Sequence, residues 1–422
     1  MMVEKEGLAD TVKDFEPALV GISANTPLVK GAWLAAEVVK KNSKAYVVLG
    51  GPHPTSSPEE SLAKEYIDGV ITGEGERGII SLVKVLTGEK PWPQVEGLVY
   101  RLDNGDIKHN PPYLIDNLDE LPFPAYELFK VDSYSVTQPL RDPGRKGARA
   151  FYLMTSRGCP YNCVFCYKGI YQQKWRPHSP EYVISEWRYL VESLKATEIG
   201  VQDDVFNLSK PRALKICQLL KREGLNKVPW VTNNGIRADY TDFELLKAMK
   251  EAGCKRVAFG IESGDEEIIK NIDKKLSLIK VSQAVSEAKK AGLSTMGFFM
   301  FGNPGENETT MEKTIQLALK LDPEVAHFSI ATPFPGTRLY FKILKEGKLL
   351  NKDWDEYGIL EGKGTFELGV VNPQLVAKFW HRAYRKFYLR PKRIFREIFK
   401  IKNWLNLPVI IKAGWQYFFK AT

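Results

Sequence analysis

The chain has 422 residues, 44% of them apolar and 26% charged, with 60 Lys plus Arg against 51 Asp plus Glu for a formal charge of +9. That length implies two or three domains, and that composition excludes a disordered or fibrous chain. No apolar run reaches the roughly 18–20 residues of a membrane span and the start, MMVEKEGLAD, is unlike a signal peptide, so a cytoplasmic protein is expected.

Residues 18–90 alternate short β-branched runs (PALVGIS, KAYVVLGG, GVITG) with helical patterns such as GAWLAAEVVKK and GIISLVKVL. This βαβα order predicts a parallel doubly wound sheet. Only three strands are legible, so 1–90 reads as a shortened Rossmann-like domain. Residues 91–148 are rich in Pro, Gly, Asp and Asn and read as a hairpin around Asn104-Gly105 followed by a linker. From 149 the alternation resumes with six candidate strands: ARAFYLMTS, TEIGVQD, VPWVTNN, KRVAFGIES, LSTMGFFMFG and VAHFSIATP. Six βα units predict an α/β fold with a partial (β/α)6 barrel over 149–340, functional at the C-terminal ends of its strands. Residues 341–422 form a C-terminal extension.

The decisive local feature is SRGCPYNCVFC, which places Cys159, Cys163 and Cys166 in C-x3-C-x2-C spacing just after the first barrel strand. The five cysteines are odd in number and three lie within eight residues, which argues against a disulfide framework. Thiolates so spaced suit a soft metal centre, and three of them leave a four-iron cluster one ligand short. Zinc would need a fourth ligand, for which His178 is nearest. Cys217 and Cys254 sit in apolar patterns and read as core residues.

The cysteine spacing, with the aromatic Phe165 before the last cysteine, resembles the radical S-adenosylmethionine (radical SAM) family. The resemblance implies a [4Fe-4S] cluster whose open iron binds S-adenosylmethionine, reductive cleavage to a 5′-deoxyadenosyl radical, and a low-potential electron donor such as ferredoxin or flavodoxin. It also implies cofactor contacts at successive strand ends. These are Gln202, Asp203 and Asp204 after the second strand, Asn233, Asn234 and Arg237 after the third, and Gly260, Glu262, Ser263 and Gly264 at the fourth. GNPGE follows the fifth, and TPFPGT, after the sixth, resembles an adenine-flanking loop. Taken singly, each is also what an ordinary turn or helix cap looks like.

In the N-terminal half, Ser23 ends one strand and Gly50-Gly51 ends the next, a spacing that resembles cobalamin-binding domains. GEGE at 73–76 and LPFPAYEL at 121–128 resemble the cobalamin-dependent branch of the family, which includes the anaerobic magnesium-protoporphyrin ester cyclase and the hopanoid-modifying enzymes. An Asp-x-His-x-x-Gly loop that would supply cobalt with a lower histidine is absent, and His53 reads as a loop histidine. The domain would then hold cobalamin without a histidine ligand or serve only for packing.

Residues 376–422 contain 12 Lys/Arg and a single acid, Glu397, interleaved with aromatics from Trp380 to Phe419. Such a tail suits the anionic face of a membrane, packing on the barrel with solvated charges, or a nucleic-acid strand. No RNA-binding module accompanies it, which sets nucleic acid last. The whole sequence therefore points to a radical SAM enzyme acting on an unactivated carbon of a small apolar substrate, by cobalamin-dependent methyl transfer or by oxidative cyclisation or rearrangement. The alternatives are a cobalamin-independent radical SAM oxidoreductase and a non-catalytic metal-binding scaffold. Phe298, Phe299, Met300 and Phe301 hint at an apolar pocket and read equally as core.

Overall fold

A computed structural model describes residues 5–129, 149–359 and 364–398. Its chain divides into two compact units that do not follow sequence order: 1–116 with 162–174 and 332–368 in the first, and 117–161 with 175–331 and 369–422 in the second.

The first unit begins α1 (Lys5–Phe15), β1 (Leu19–Ser23), α2 (Val29–Asn42), β2 (Tyr46–Gly50), α3 (Pro52–Ser56), α4 (Pro58–Leu62), β3 (Gly69–Ile71) and α5 (Gly75–Leu86). β1, β2 and β3 are parallel neighbours in that order. Strands of this sheet are apolar on both faces: Val47 and Leu49 meet Val29, Ala32, Trp33, Ala36 and Val39 of α2, while Val48 meets Leu82 and Val85 of α5. The helical stripe at i, i+3, i+4, i+7 and the strand period of two are the same core seen from its two sides.

The hairpin that the sequence set apart from this sheet belongs to it. β4 (Leu98–Arg101) pairs antiparallel with β3, and β5 (Ile107–His109) with β4, so the sheet has five strands. Leu98, Val99 and Tyr100 are buried, and that burial draws the hairpin in.

The second unit holds six parallel strands in sequential spatial order: β6 (Ala150–Leu153), β9 (Glu198–Val201), β10 (Trp230–Thr232), β11 (Cys254–Glu262), β12 (Ser294–Phe301) and β13 (Val325–Ile330). Between β6 and β9 lie the two-residue strands β7 (Ser156–Arg157) and β8 (Arg176–Pro177) and helix α6 (Pro180–Arg188). The crossover helices α7 (Lys210–Arg222), α8 (Phe243–Glu251), α9 (Glu266–Asn271), α10 (Leu278–Lys290) and α11 (Glu308–Leu321) complete the βα units. Ser179, Asp242, Asp265, Ser277 and Asn307 cap their helices through side-chain oxygens, which fixes where each strand-end loop stops. All six candidate strands are present. Cys217 and Cys254 are buried, and Phe299 and Phe301 are core, stacked on Phe328.

Residues after the barrel return to the first unit as α12 (Arg338–Glu346) and the pair β14 (Lys348–Leu349) and β15 (Phe366–Glu367). Trp354 and Tyr357 enter the α2 side of the core, Trp354 Nε1 donating to Glu60 at 2.7 Å. Burying each of these rings is worth on the order of 2–3 kcal/mol, and 332–368 pack with the first unit although they follow the barrel in sequence. Then α13 (Pro373–Tyr388) and α14 (Pro391–Ile398) return to the second unit. No helix among the described residues is long and apolar enough to cross a membrane.

Candidate functional site

β7 and β8 pair antiparallel, Ser156 opposite Pro177 and Arg157 opposite Arg176, so residues 158–175 leave and re-enter the fold through a narrow neck. Gly158, at φ +83°, makes the turn into Cys159. All five cysteines lie among the described residues and form no disulfide; Cys159 and Cys166 are partly exposed and Cys163 is buried. The Cys166 N–H donates to the Cys163 carbonyl at 3.1 Å, a tight turn between the last two thiols. Among the described residues no three His, Cys, Asp or Glu side chains gather around a single-ion position. His178 is committed elsewhere: its Nδ1 lies 3.0 Å from Asp119 Oδ1, its ring stacks on Tyr182, and burial lowers its pKa against the pull of Asp119.

Several strand-end residues expected to face a ligand have their polar atoms bound within the protein. Asp203 is buried and accepts from the Thr155 N–H, the Thr155 hydroxyl and the Ser156 hydroxyl, each at 2.6 Å; burial still raises its pKa. Arg237 is buried, donates to the carbonyls of Lys274 and Lys275 and to Asp239, and lies 3.5 Å over the Tyr161 ring. Ser263 is buried against Thr314 and receives the Asp265 N–H. In all three the side chain holds neighbouring backbone or loops of the barrel. Glu262 occupies the left-handed region at φ +67° and accepts from Lys274 Nζ at 2.7 Å. Gln202 bridges β6 and the third loop, its N–H to Leu153 and its carbonyl from Asn234. Asn233 is half-buried over Gly200, and Asp204 is exposed. After the fifth strand Glu306, fully buried, accepts the N–H groups of Gly302 and Asn303, and burial pushes its pKa up to about 7.

In the first unit the residues singled out do converge. Ser23 and Gly50 are register partners, and Gly51 sits at φ +92°, where a Cβ would lie 2.7 Å from Ser23 Oγ and 2.9 Å from the Ala24 carbonyl. Beside them Gly73 donates its N–H to Thr55. Gly336 of the TPFPGT loop, at φ +77°, would place a Cβ 2.6 Å from the Tyr167 ring and 3.1 Å from Ser56. Tyr167 follows Cys166, and the Leu339 N–H donates to the Val164 carbonyl at 2.8 Å. Two of the three thiols therefore ride on chain that folds with the glycine-lined sheet ends. His53 is not a loop histidine: it is fully buried between Trp33 and Trp354, with Nδ1 on Thr26 and Nε2 3.5 Å from Glu60.

Residues 153–318 match the radical SAM superfamily and residues 1–83 the B12 binding domain. An uncharacterized methyltransferase, PH0819, of Pyrococcus horikoshii is 38% identical over 397 residues, covering 93% of this chain and 83% of that protein. The chain belongs to the cobalamin-binding branch of the radical SAM superfamily. Cytidylyl-2-hydroxyethylphosphonate methyltransferase of Streptomyces wedmorensis is 28% identical, covering 89% of this chain and 76% of that one. In fold, the chain matches the radical SAM methyltransferase TsrM of Kitasatospora setae with a TM-score of 0.66 at 20% identity, over 80% of this chain and 67% of that one.

This radical SAM enzyme presents residues suited to its family's cofactors. Three cysteines on one loop, none in a disulfide, fit a [4Fe-4S] cluster with an iron left for S-adenosylmethionine. The exposed Ser23 beside Gly50 and Gly51, with no room for a Cβ at Gly51, is a bare strand-end ledge of the kind a cobalamin tail can lie along. Sequence reasoning missed Lys274, Arg212 and Tyr167, and it singled out the TPFPGT loop of Gly336 without placing it beside the first sheet. Of the three, Tyr167 carried a local signal, its place directly after the third cysteine.

Of the readings weighed for the basic aromatic tail, the described helix α13 takes the one in which its aromatics pack on the barrel. In α13, Val376, Phe379, Trp380, Ala383 and Phe387 are buried. Trp380 and Tyr388 reach the carbonyls of Phe328 and Ala326 in β13, at 2.9 and 2.7 Å. Lys378 pairs with Glu308, Arg382 and Lys386 with Glu312, and Arg390 with Asp322. The aromatics from Phe399 to Phe419 lie outside the described residues.

Proposed function

We propose that the chain is a cobalamin-dependent radical SAM methyltransferase acting on an unactivated carbon of a small, apolar substrate. The observation that carries this reading is the membership of Cys163 and Cys166 in the same compact unit as the Ser23, Gly50 and Gly51 ledge, joined through Tyr167, Gly336 and Ser56. A methyl carrier and a radical generator have to work within reach of one substrate, and a shared compact unit supports that. Both curated relatives reported above carry methyltransferase names, which favours methyl transfer over cyclisation.

On this reading residues 149–340 form the catalytic module, 1–90 with the 91–148 hairpin and linker the corrinoid module, and 341–422 an extension. Cys159, Cys163 and Cys166 hold the cluster. Bound there, it supplies the electron that breaks the sulfonium bond of S-adenosylmethionine, and cobalamin supplies methyl transfer. Asp204, Asn233, Gln202 and the Glu262–Lys274 pair line the strand ends where the charged end of S-adenosylmethionine would be met. Asp203, Arg237 and Ser263 shape those ends from behind. Ser23, Gly50 and Gly51 bind the corrinoid through backbone and hydroxyl groups. The electron comes from a low-potential ferredoxin or flavodoxin, and any contact with an anionic membrane belongs to α14 and residues 399–422, beyond the paired cations of α13.

Anaerobic reconstitution with iron, sulfide and hydroxocobalamin, followed by reduction with S-adenosylmethionine present, tests the proposal. Bound corrinoid together with 5′-deoxyadenosine and S-adenosylhomocysteine is the expected result. Release of 5′-deoxyadenosine without corrinoid uptake would replace it with a cobalamin-independent oxidoreductase, and a cluster that cleaves nothing would overturn it. Sedimentation with anionic vesicles, against neutral ones, reads out the membrane contact.

A further inference from the structure

We propose that Asp203 and Arg212 are positioning residues for the iron–sulfur cluster, clamping Thr155 from both sides and so fixing the neck of the cysteine loop. This rests on the reading of Cys159, Cys163 and Cys166 as cluster ligands. Asp203 lies two residues past the end of β9, and Arg212 lies in the first turn of α7. Every polar group of Thr155 is taken. Its N–H and hydroxyl donate to Asp203, and its carbonyl accepts from Arg212 at 2.5 Å and from the His178 N–H at 3.0 Å. Asp203 also takes the Ser156 hydroxyl, and Arg212 Nε donates to the His178 carbonyl at 2.8 Å. Asp119 completes the exit side by holding His178 Nδ1 and the Ser179 N–H.

The entry strand and the exit strand of the loop are thus held by opposite charges through one residue between them. Thr155, Ser156, Asp203, Arg212, Arg176 and His178 are all buried. A buried pair of opposite charges is weak as a source of stability, because desolvation offsets attraction and an apolar cluster of the same volume would do as well. A cationic side chain in the first turn of a helix also opposes the helix dipole. What the arrangement supplies is direction: four charge-assisted hydrogen bonds orient Thr155 and Ser156, four and three residues before Cys159. A cluster needs its thiolates at set separations, and the neck decides where a long loop begins and ends. Arg212 keeps NH1 without a hydrogen-bond partner in this buried neck, a polar cost that mere packing would not retain.

The test compares the full-length wild type with Asp203→Asn, Arg212→Lys and Ser156→Ala. Asn cannot accept from every donor that converges on Asp203, and Lys cannot reach two carbonyls with one fork. After anaerobic reconstitution, Asp203→Asn is expected to retain iron roughly 10–100-fold less tightly, as partners of metal ligands commonly do. Its reduced cluster should show a broadened or shifted electron paramagnetic resonance spectrum, with Ser156→Ala changed in the same direction and less. Corrinoid uptake, which reads the first unit's ledge, should stay at the wild-type level. In the apo protein the Thr155 and His178 amides should exchange at least about 10-fold faster in Asp203→Asn. Wild-type iron retention and spectrum in Asp203→Asn and Ser156→Ala would overturn the proposal, as would loss of iron in step with loss of corrinoid. If the wild type itself assembles no cluster, the proposed function fails instead, and unchanged apo exchange at Thr155 would overturn the clamp independently.

Discussion

The C-terminal strand ends of the two sheets solve opposite problems. In the first unit the ends are emptied: Ser23 is exposed, Gly50 faces it in register, and Gly51 and Gly336 take positive φ where a side chain would collide. In the barrel the ends are filled with buried charge, as Asp203 binds Thr155, Arg237 the 274–275 carbonyls, Lys274 Glu262, and Glu306 the 302–303 amides. A bulky cofactor with a long tail needs space and backbone. A small charged one needs fixed dipoles, which are preorganised by bonds made before it arrives. Parallel strands end in both places, so topology alone does not choose between these solutions; side-chain volume does.

The sharpest way to break this contrast is to remove a ligand from one side only. Cys163→Ala is expected to abolish 5′-deoxyadenosine formation while corrinoid absorbance persists, and loss of both together would show that the two ends are not separable. Next in size, Trp354→Ala removes a buried ring from the α2 side of the first core and its bond to Glu60, and should cost about 3–5 kcal/mol in chemical denaturation of the first unit. A transition unchanged by that substitution would mean that 332–368 does not hold the corrinoid side together.

The barrel's filled ends carry a pH signature that the emptied ones lack. Burial raises Glu306 from 4.5 to about 7. The unfolded chain therefore gives up this proton at lower pH than the folded one, so folding stability falls as pH rises from about 4.5 through about 7. Glu186, also raised to about 7 by burial, adds the same sign. Glu306→Gln should flatten part of that decline, by an amount on the order of 2–3 kcal/mol between pH 5 and pH 8 in thermal or denaturant melts. A slope identical to wild type would mean that Glu306 titrates alike in the folded and unfolded chain. Gly51→Ala, with its Cβ forced against Ser23 and Ala24 at φ +92°, should destabilise the first unit by about 1–3 kcal/mol and weaken corrinoid uptake while leaving the iron content alone. Smallest of all, Lys378→Ala should change stability by less than about 1 kcal/mol, because its pair with Glu308 is exposed. A larger loss would make the α13 ion pairs part of the barrel's frame.

Much of this was legible in one dimension. The six barrel strands, the N-cap residues that stop their loops, the cysteine spacing and the glycines of the first sheet are written in local pattern, where period, turn chemistry and ligand spacing act over a few residues. The hairpin at Asn104-Gly105 was legible as a hairpin, and its membership in the first sheet was not, because register with β3 is a contact between segments far apart in sequence. The aromatics of α13 fitted a membrane face and the barrel alike for the same reason. Their spacing shows one apolar side, and only β13 shows what covers it.

The sequence by itself determined the chemistry on offer: three thiols on a loop after a strand, a glycine ledge after two others, and acids and amides at successive strand ends. Tertiary structure decided which of those groups stay open and which are consumed. Asp203, Arg237 and Ser263 have the residue types of ligand contacts, and each is engaged by partners that fold in beside it, Thr155 and Ser156, the 274–275 carbonyls and Thr314. Hydrophobic period specifies which face is buried, but hydrogen bonding between distant segments specifies what a buried charge is for, and that pairing exists only once the strands are side by side.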